Sequence, residues 1–257
     1  MRAEDILQIA MEQSAEDIGC KVEDFMKNKN VVVPFRLGKN ARKYLEEPIP
    51  ANFVSYGNNV VASADKDIQE IVSEYVGKYE FYHLFESPNM HWLDDRLAGN
   101  GYRVCFMAEY YLPDISRLHA ISCDYELRIL GPEDFKSLYL PEWGNALCEK
   151  RQHLDVLGVG AYADGKLVGL AGCSADCEKM WQIGVDVLPE YRRNKIACAL
   201  TSRLACEILE RDKVPFYCSA WSNIRSVRNA IKSGFLPAWV EMTVKPDTVI
   251  TQFNENH

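Results

Sequence analysis

The sequence has no apolar run long enough to cross a membrane and no excess of positive charge. A spanning helix needs roughly 18–20 consecutive apolar residues, which occur nowhere in the chain. The chain has 29 Lys and Arg against 37 Asp and Glu, a net charge of -8, and such an acidic protein is a poor general binder of polyanions. Its acidic N-terminus lacks the apolar segment of a secretory signal. We therefore expect a cytoplasmic protein that binds neither membranes nor nucleic acids.

The sequence also lacks the ligand spacing of a metal site. Most of the nine cysteines lie in apolar runs, where cysteine behaves as a small hydrophobe, and a reducing compartment predicts free thiols. Cys173 and Cys177 form one ligand-like pair, but no second pair and no nearby histidine completes a tetrahedral set. His257 should lie at a frayed terminus. Four other histidines show neither metal nor triad spacing: His83, His91, His119 and His153. We expect no metal.

Enough apolar sequence is present for a sizeable core, because 47% of the residues are hydrophobic and 26% are charged. The pattern of elements restarts near Cys123, where a linking segment gives way to a strand and a capped helix. We predict an α/β protein with a mixed sheet and two domains. The first, residues 1–122, is a smaller α+β domain, and the second is residues 123–257.

The second half has the clearer pattern. Asp164-Gly165 between two apolar runs is a strong hairpin signal. Apolar residues at four-residue spacing then indicate a helix over about 194–211. The predicted order is strands at 155–163, 166–175 and 180–188, that helix, a strand at 214–221, a short helix from Ser222 or Asn223 to Gly234, and one or two strands over 235–245.

The first half is less regular. It predicts a helix over 3–27, an extended segment at 31–37, a strand and helix over 58–79, a strand at 78–86, and then a capped helix, a glycine stop and a strand. The helices that start at Asn89 and Asn223 share one plan, since each ends in a glycine, an aromatic residue and a strand. Either these are two ordinary strand–helix–strand units, or the first half is a decayed copy of the second.

The segment from Val185 to Leu200 points to chemistry. A strand ends, a proline turns the chain, and a basic loop leads into a helix whose free N–H groups favour anions. Four basic residues and no acid occur from Arg192 to Arg203, and a second acid-free stretch follows. The basic residues of that stretch are Arg225, Arg228 and Lys232. The pattern indicates either one localised anion site or a solvated basic face.

This segment resembles motif A of the GNAT acetyltransferase superfamily, a strand and V-x-P-x-[YF] followed by [QR]-x-x-G-x-[GA] at the start of a helix. The matching residues are Val187, Pro189, Tyr191, Arg192 and Ala197. The next strand and helix resemble motif B through Asn223, Ser226, Ala230, Lys232, Gly234 and Phe235. The resemblance covers about residues 124–245 and implies the GNAT fold there. The first half looks like a degenerate acetyltransferase-like repeat that would shape the acceptor pocket.

The resemblance implies an acetyl-CoA site between the strands at 185–187 and 216–220. Amides of the loop from Arg193 to Ala197 would hold the pyrophosphate, and the backbone of Val185 and Val187 would pair with the pantetheine arm. The candidate binding residues are Val185, Val187, Arg192, Arg193, Asn194, Lys195, Ile196, Ala197, Asn223 and Lys232. Asp186, inside the strand, is expected to cap or tether the basic loop.

Three positions depart from the family pattern. The middle glycine of motif A is Lys195. The tyrosine that many members use as a general acid falls at Ala230, and the glutamate that some use as a base falls at Trp181 or near it at Gln182. Ser226 is the one catalytic candidate, and no catalytic residue is assigned.

Three functions follow from these observations. The leading hypothesis is an N-acetyltransferase that uses acetyl-CoA as cosubstrate and a small amine as acceptor. The second is a CoA-binding sensor or scaffold without turnover, which the missing tyrosine and glutamate favour. The third is a polyanion-binding protein that uses the same basic helices, against which the net charge argues. The sequence does not fix the oligomeric state, and a dimer is compatible with it.

Overall fold

The computed structural model describes residues 1–43 and 49–255, so His257 lies outside the described residues. The helices are α1 Ala3–Ile18, α2 Gln69–Lys78, α3 Ser87–Leu97, α4 Pro132–Phe135, α5 Ile196–Leu209, α6 Ile224–Lys232 and α7 Asp247–Glu255. The strands are β1 Val31–Pro34, β2 Ala51–Ser55, β3 Val61–Ala64, β4 Tyr102–Pro113, β5 Glu126–Leu130, β6 Asp155–Ala163, β7 Lys166–Ser174, β8 Met180–Val187, β9 Val214–Ser219 and β10 Phe235–Pro246.

The internal contacts of the chain group it into two compact units. The first unit comprises residues 1–9 and 110–237, and the second comprises residues 10–109 and 238–257. The chain of β4 and that of β10 each pass from one unit into the other. The division at residue 122 that we infer from the sequence stays a prediction.

The first unit contains a mixed sheet, in the order β4-β9-β8-β7-β6-β5. Strands β5 to β8 are antiparallel neighbours, and β8 and β9 are parallel. At the β6–β7 turn Asp164 has φ 48° and Gly165 has φ 79°, the paired positive values of a tight hairpin turn. These features confirm the predicted mixed α/β class and the Asp-Gly hairpin.

Helix α5 packs one face on this sheet. Its apolar residues recur every four positions and are all buried: Ile196, Leu200, Leu204 and Ile208. They share a core with side chains from β6, β7 and β8, including Val159, Ala171 and Ile183. The periodicity that predicts this helix is therefore the pattern of its core contacts.

The second unit has strand order β1-β3-β2-β10-β4. Strands β1 and β3 are parallel, whereas β2 runs antiparallel to β3 and to residues 240–244 of β10. Helices α2 and α3 contribute Val72, Tyr75 and Leu93 to a core with Phe53 and Met242.

Two details of the first half were predicted wrongly. Residues 78–86 were expected to form a strand, but 81–83 form a short 3-10 turn between α2 and α3. The helix expected over 3–27 ends at Ile18, because Gly19 takes a left-handed conformation with φ 72°. Since no strand precedes α3 here, the common plan of the Asn89 and Asn223 segments reduces to a helix, a left-handed glycine and a strand.

All nine cysteines are free thiols. Within residues 1–43 and 49–255, no helix combines the length and apolar character needed to cross a bilayer.

Candidate functional site

Strands β8 and β9 separate part of the way along their length. They pair in parallel over four positions, from Met180 opposite Val214 to Ile183 opposite Tyr217. Within the described residues, the register with β9 goes no further, while β8 stays paired with β7 as far as Val187. The opening therefore begins after Ile183 and Tyr217. Val185 and Val187 lie beyond the last position that pairs with β9, whereas Phe216 and Tyr217 are still paired.

The basic loop, Arg192–Lys195, follows β8 and a short turn at 189–191. Arg193 has φ 69° and Lys195 has φ 62° and ψ 2°, so both adopt the left-handed conformation. A side chain in that region costs about 1–2 kcal/mol, which is why a glycine suits this turn. The structure thus gives a physical reason for the glycine that the family pattern has where this chain has Lys195.

The start of α5 presents unpaired backbone donors beside the basic loop. Its first helical hydrogen bond runs from Ala199 N to Lys195 O, over 3.0 Å. The N–H groups of Ile196, Ala197 and Cys198 precede that bond and have no partner within the helix. Such N–H groups at a helix start are donors of the kind that bind phosphate oxygens.

The cations of the first basic stretch are not equivalent. Arg203 is paired with Glu207 over 2.6 Å, and Arg192 Nε donates to Val187 O over 3.0 Å. Among the described residues, Arg193 and Lys195 have no ion-pair partner. The open positive charge is therefore confined to the basic loop, and sequence reasoning missed the neutralising role of Glu207 although its four-residue spacing from Arg203 signals it.

The structure brings Lys232 to the start of α5. Its charge acts on Cys198 in the first turn of that helix, where burial raises the pKa of the thiol and the Ser233 hydroxyl and Lys232 lower it in part. Ser233 Oγ also lies 3.5 Å from Cys198 O. The C-terminal end of α6 thus adds a cation near the first turn of α5.

Asn223 lies at the other end of α6. Its Oδ1 accepts a hydrogen bond from Ser226 N over 3.2 Å, which makes it the N-cap that the sequence predicts. Asn223 and Lys232 are nine positions apart, which is about 13 Å along the helix. The structure therefore does not bring these two candidate binding residues together.

Hydroxyl groups meet next to the opening. Ser226 Oγ lies 2.7 Å from the hydroxyl of Tyr217, a buried residue at the last paired position of β9. Burial raises the pKa of Tyr217, and hydrogen bonds with Ser226 and Asn229 lower it in part. Ala230, where the family pattern has a tyrosine, is buried. Sequence reasoning missed Tyr217, because only the pairing of β8 with β9 shows that it marks the start of the opening.

The opposite face of β8 is polar at the opening. Gln182 Nε2 lies 3.1 Å from Cys218 Sγ on β9. Asp186 accepts three hydrogen bonds from the 145–146 loop, from Asn145 N at 2.8 Å, Asn145 Nδ2 at 2.6 Å and Ala146 N at 2.9 Å. Asp186 thus tethers a loop, but the loop is 145–146 and not the basic loop that we expected.

The 145–146 loop can lie close to β8 because the residue of β8 beneath it is a glycine, Gly184. A Cβ atom on Gly184 would lie 1.8 Å from Asn145 O, a distance that the backbone could not tolerate. Gly184 and Asp186 alternate with Val185 along β8, so the two residues share one face and hold the loop against it.

No cluster of three or more possible metal ligands occurs within residues 1–43 and 49–255.

Comparison with known proteins identifies one matching family. The GNAT acetyltransferase family model matches residues 103–237, just over half of the chain. This region includes β8, β9, α5 and α6 with the basic loop. No protein of curated function matches the chain.

Three solved structures are similar to part of the chain. A putative GNAT acetyltransferase from Novosphingobium aromaticivorans has 21% identity and a TM-score of 0.45, over 56% of this chain and 66% of its own. A GCN5-related N-acetyltransferase-like protein from Streptococcus suis has 20% identity and a TM-score of 0.45, over 60% of this chain and 67% of its own. An aminoglycoside N-acetyltransferase solved with CoA has 17% identity and a TM-score of 0.36, over 47% of this chain and 93% of its own.

Proposed function

The chain belongs to the GNAT acetyltransferase family, and from that premise we propose that it transfers an acetyl group from acetyl-CoA to a primary amine. The amine would attack the thioester directly while both substrates are bound. The observation that carries this proposal is the start of α5, where unpaired N–H groups, a left-handed backbone and open cations occur together.

The basic loop would hold the pyrophosphate of acetyl-CoA. Phosphate oxygens accept hydrogen bonds from N–H groups at a helix start, and the partial positive charge of that end adds to the attraction. Arg193 and Lys195 extend from the same short segment, and the charge of Lys232 acts on the first turn of α5. Arg192 would act differently, because its bond to Val187 O fixes the exit of the chain from β8.

The pantetheine arm would lie along the opening between β8 and β9. The β9-facing edge of β8 beyond Ile183 is available for backbone hydrogen bonds, as a strand edge is. Val185 offers such an edge, whereas Val187 O is already bonded to Arg192. The proposed pairing with Val187 therefore depends on its remaining backbone group or on release of the Arg192 contact.

Catalysis would rest mainly on holding the two reactants in place and on hydrogen bonds to the developing negative charge. At the two positions where the family pattern has a tyrosine and a glutamate, this chain has Ala230 and Trp181. Ala230 is buried and Trp181 packs against the core. The attacking amine would lose its proton to water. The acidic composition of the chain favours a small cationic amine as acceptor.

The absence of a tyrosine at Ala230 and of a glutamate at Trp181 favours a second candidate function, a CoA-binding sensor without turnover. Calorimetry with acetyl-CoA, CoA and a short DNA duplex separates both candidates from a polyanion-binding protein. Binding of DNA in place of CoA would support the polyanion-binding protein and overturn the proposal.

An assay of thiol release from acetyl-CoA over a panel of primary amines then tests transfer itself. We expect release that depends on both the amine and the enzyme. Tight binding of acetyl-CoA with no release for any amine in the panel would favour the sensor.

A further inference from the structure

Two hydrogen-bonded pairs of polar side chains lie between α5, α6 and β9 in the first unit. Asn229 Nδ2 donates to Thr201 Oγ1 over 3.0 Å, and both residues are buried. The hydroxyl of Tyr217 lies 2.7 Å from Ser226 Oγ. Tyr217 is buried and Ser226 is half-buried, so this second pair reaches from the core toward the surface.

The buried residues Tyr217 and Asn229 determine the direction of the hydrogen bond between Tyr217 and Ser226. Because burial raises the pKa of Tyr217, its phenol keeps its proton at neutral pH. Asn229 Oδ1 has no hydrogen-bond partner among the described residues, so it does not take the phenol proton, and Ser226 Oγ is the acceptor that lies within hydrogen-bond distance of the phenol. That proton is therefore directed at Ser226 Oγ. Ser226 then accepts from Tyr217, and its own hydrogen is left for another acceptor.

Ser226 stands at the side of the opening between β8 and β9. Its partner Tyr217 occupies the last position of β9 that pairs with β8. Ser226 lies in the first turn of α6, and Ala230 follows on the same face one turn later. Ala230 has no polar side-chain atom, and Ser226 carries the only hydroxyl among the residues of α6.

We propose that Ser226 donates a hydrogen bond to the sulfur of the CoA thioester and that Tyr217 positions it. This inference rests on the proposed function. During transfer the nitrogen of the amine forms the new C–N bond, the C–S bond breaks, and sulfur leaves with the electron pair as a thiolate. Ser226 stabilises that charge without giving up its proton, and the proton lost by the nitrogen passes to water. Ser226 is then a catalytic residue and Tyr217 a positioning residue.

The test measures the ionisation of the thiol of bound CoA, followed by the ultraviolet absorbance of the thiolate as the pH is raised. A hydrogen bond to the charged form lowers a pKa. We expect the pKa of the bound thiol to be about one unit higher in Ser226→Ala than in the unmodified protein, a roughly tenfold change in the ionisation constant. Tyr217→Phe should shift the pKa in the same direction by less, because Ser226 remains but can turn away.

Two controls separate a local effect from a damaged fold. Ser222→Ala removes an exposed hydroxyl just before the cap of α6 and should leave the thiol pKa unchanged. CoA without its sulfur, desulfo-CoA, should bind all four proteins equally, which also shows that each variant is folded.

Two results would overturn the inference, and they are distinguishable. Equal thiol pKa values in the unmodified protein and Ser226→Ala, with CoA bound to both, would overturn the role of Ser226 alone. Failure of the unmodified protein to bind CoA and desulfo-CoA in calorimetry would overturn this inference together with the proposed function.

Discussion

The two units of this protein treat charge in opposite ways. In the first unit the basic loop leaves Arg193 and Lys195 exposed at the start of α5, beside backbone donors with no partner in the helix. In the second unit Arg42 is buried and forms ion pairs with Asp17 and Glu241, which are buried too. Among the described residues the first arrangement has no acidic partner for Arg193 or Lys195, whereas the second supplies its own counter-charges.

The surroundings of the two arrangements differ in the same sense. Trp239 Nε1 donates to Glu241 Oε1 over 2.8 Å, and the ring of Trp239 stacks on Tyr56 at 5.6 Å. Gln13 Nε2 donates to Asp17 over 2.9 Å. Buried charges need such neighbours, because a charge that has lost water must regain hydrogen bonds. We infer that the Arg42 cluster serves the fold and that the basic loop serves a ligand.

The largest expected effect comes from breaking the Arg42 cluster. Arg42→Met removes the shared cation and leaves two carboxylates buried, so we expect the free energy of unfolding in urea to fall by about 3–5 kcal/mol. Arg103→Met is the matched control in the same unit, because Arg103 also pairs with two acids, Asp94 and Asp247, but at the surface. It should have a much smaller effect. Equal losses in the two variants would mean that burial does not distinguish the clusters.

The next effect is on binding at the basic loop. Arg193→Glu should weaken acetyl-CoA by about 1.5–3 kcal/mol, the scale of a charge-assisted hydrogen bond, without lowering the stability of the exposed loop. Calorimetry with acetyl-CoA at low and moderate salt measures this change. Arg192→Glu should also weaken binding, but it breaks the contact with Val187 O as well and can therefore lower stability. Unchanged affinity in both variants would remove the loop from the proposed site.

A third prediction compares the two ends of α5, since the C-terminal end carries paired charges and the start does not. Burial pushes the pKa of Glu207 up, but hydrogen bonds from Arg211 and Arg203 outweigh it and lower the pKa overall. A lowered carboxyl pKa stabilises the fold at neutral pH, and this contribution is lost as the pH falls below the unfolded value of about 4.3.

Glu207→Gln should therefore cost about 1–2 kcal/mol at pH 7, and the difference from the unmodified protein should shrink below about pH 4.3. Urea unfolding at a series of pH values measures it. Glu210→Gln is a suitable control for a general charge effect, because Glu210 lies three residues further along the chain, at the C-cap of α5. A difference that grew on acidification would contradict the assigned direction of the pKa.

The smallest effect concerns the backbone of the basic loop. Lys195→Gly should be more stable than Lys195→Ala by about 1 kcal/mol, because both lack the ammonium and only glycine relieves the left-handed strain. Asp212, exposed and left-handed after α5, gives the matched pair Asp212→Gly and Asp212→Ala away from the loop. Both pairs should show a similar gain in urea unfolding.

Acetyl-CoA binding by the Lys195 pair then separates charge from backbone. Weaker and less salt-dependent binding by both variants would assign a contact to the ammonium. Binding as tight as that of the unmodified protein would show that the side chain is only tolerated.

Much of the first unit follows from local sequence. The Asp164-Gly165 turn, the buried face of α5 and the Asn223 cap depend on residues a few positions apart, and such local patterns predict local structure directly. The ion pair of Arg203 with Glu207 is equally local. Sequence reasoning missed it because the count of basic residues stopped at Arg203, before the acid that follows. The 3-10 turn at 81–83 was missed for the opposite reason, since its aromatic residues favour a strand and the helices on either side leave no room for one.

Tertiary structure decided the contacts that no local pattern contains. Arg42 and Glu241 are 199 positions apart, and only the pairing of β10 with β2 carries the C-terminal strand into the second unit. The end of the β8–β9 register makes Tyr217 the neighbour of the opening, and the packing of α6 on α5 brings Lys232 to a helix start. The sequence by itself determined helices α5 and α6, the Asp164-Gly165 turn and the family, because these depend on short-range periodicity and spacing. Whether a charged side chain finds an oppositely charged partner depends on which distant segments pack together in the fold. A buried charge is stable only where this packing supplies such a partner.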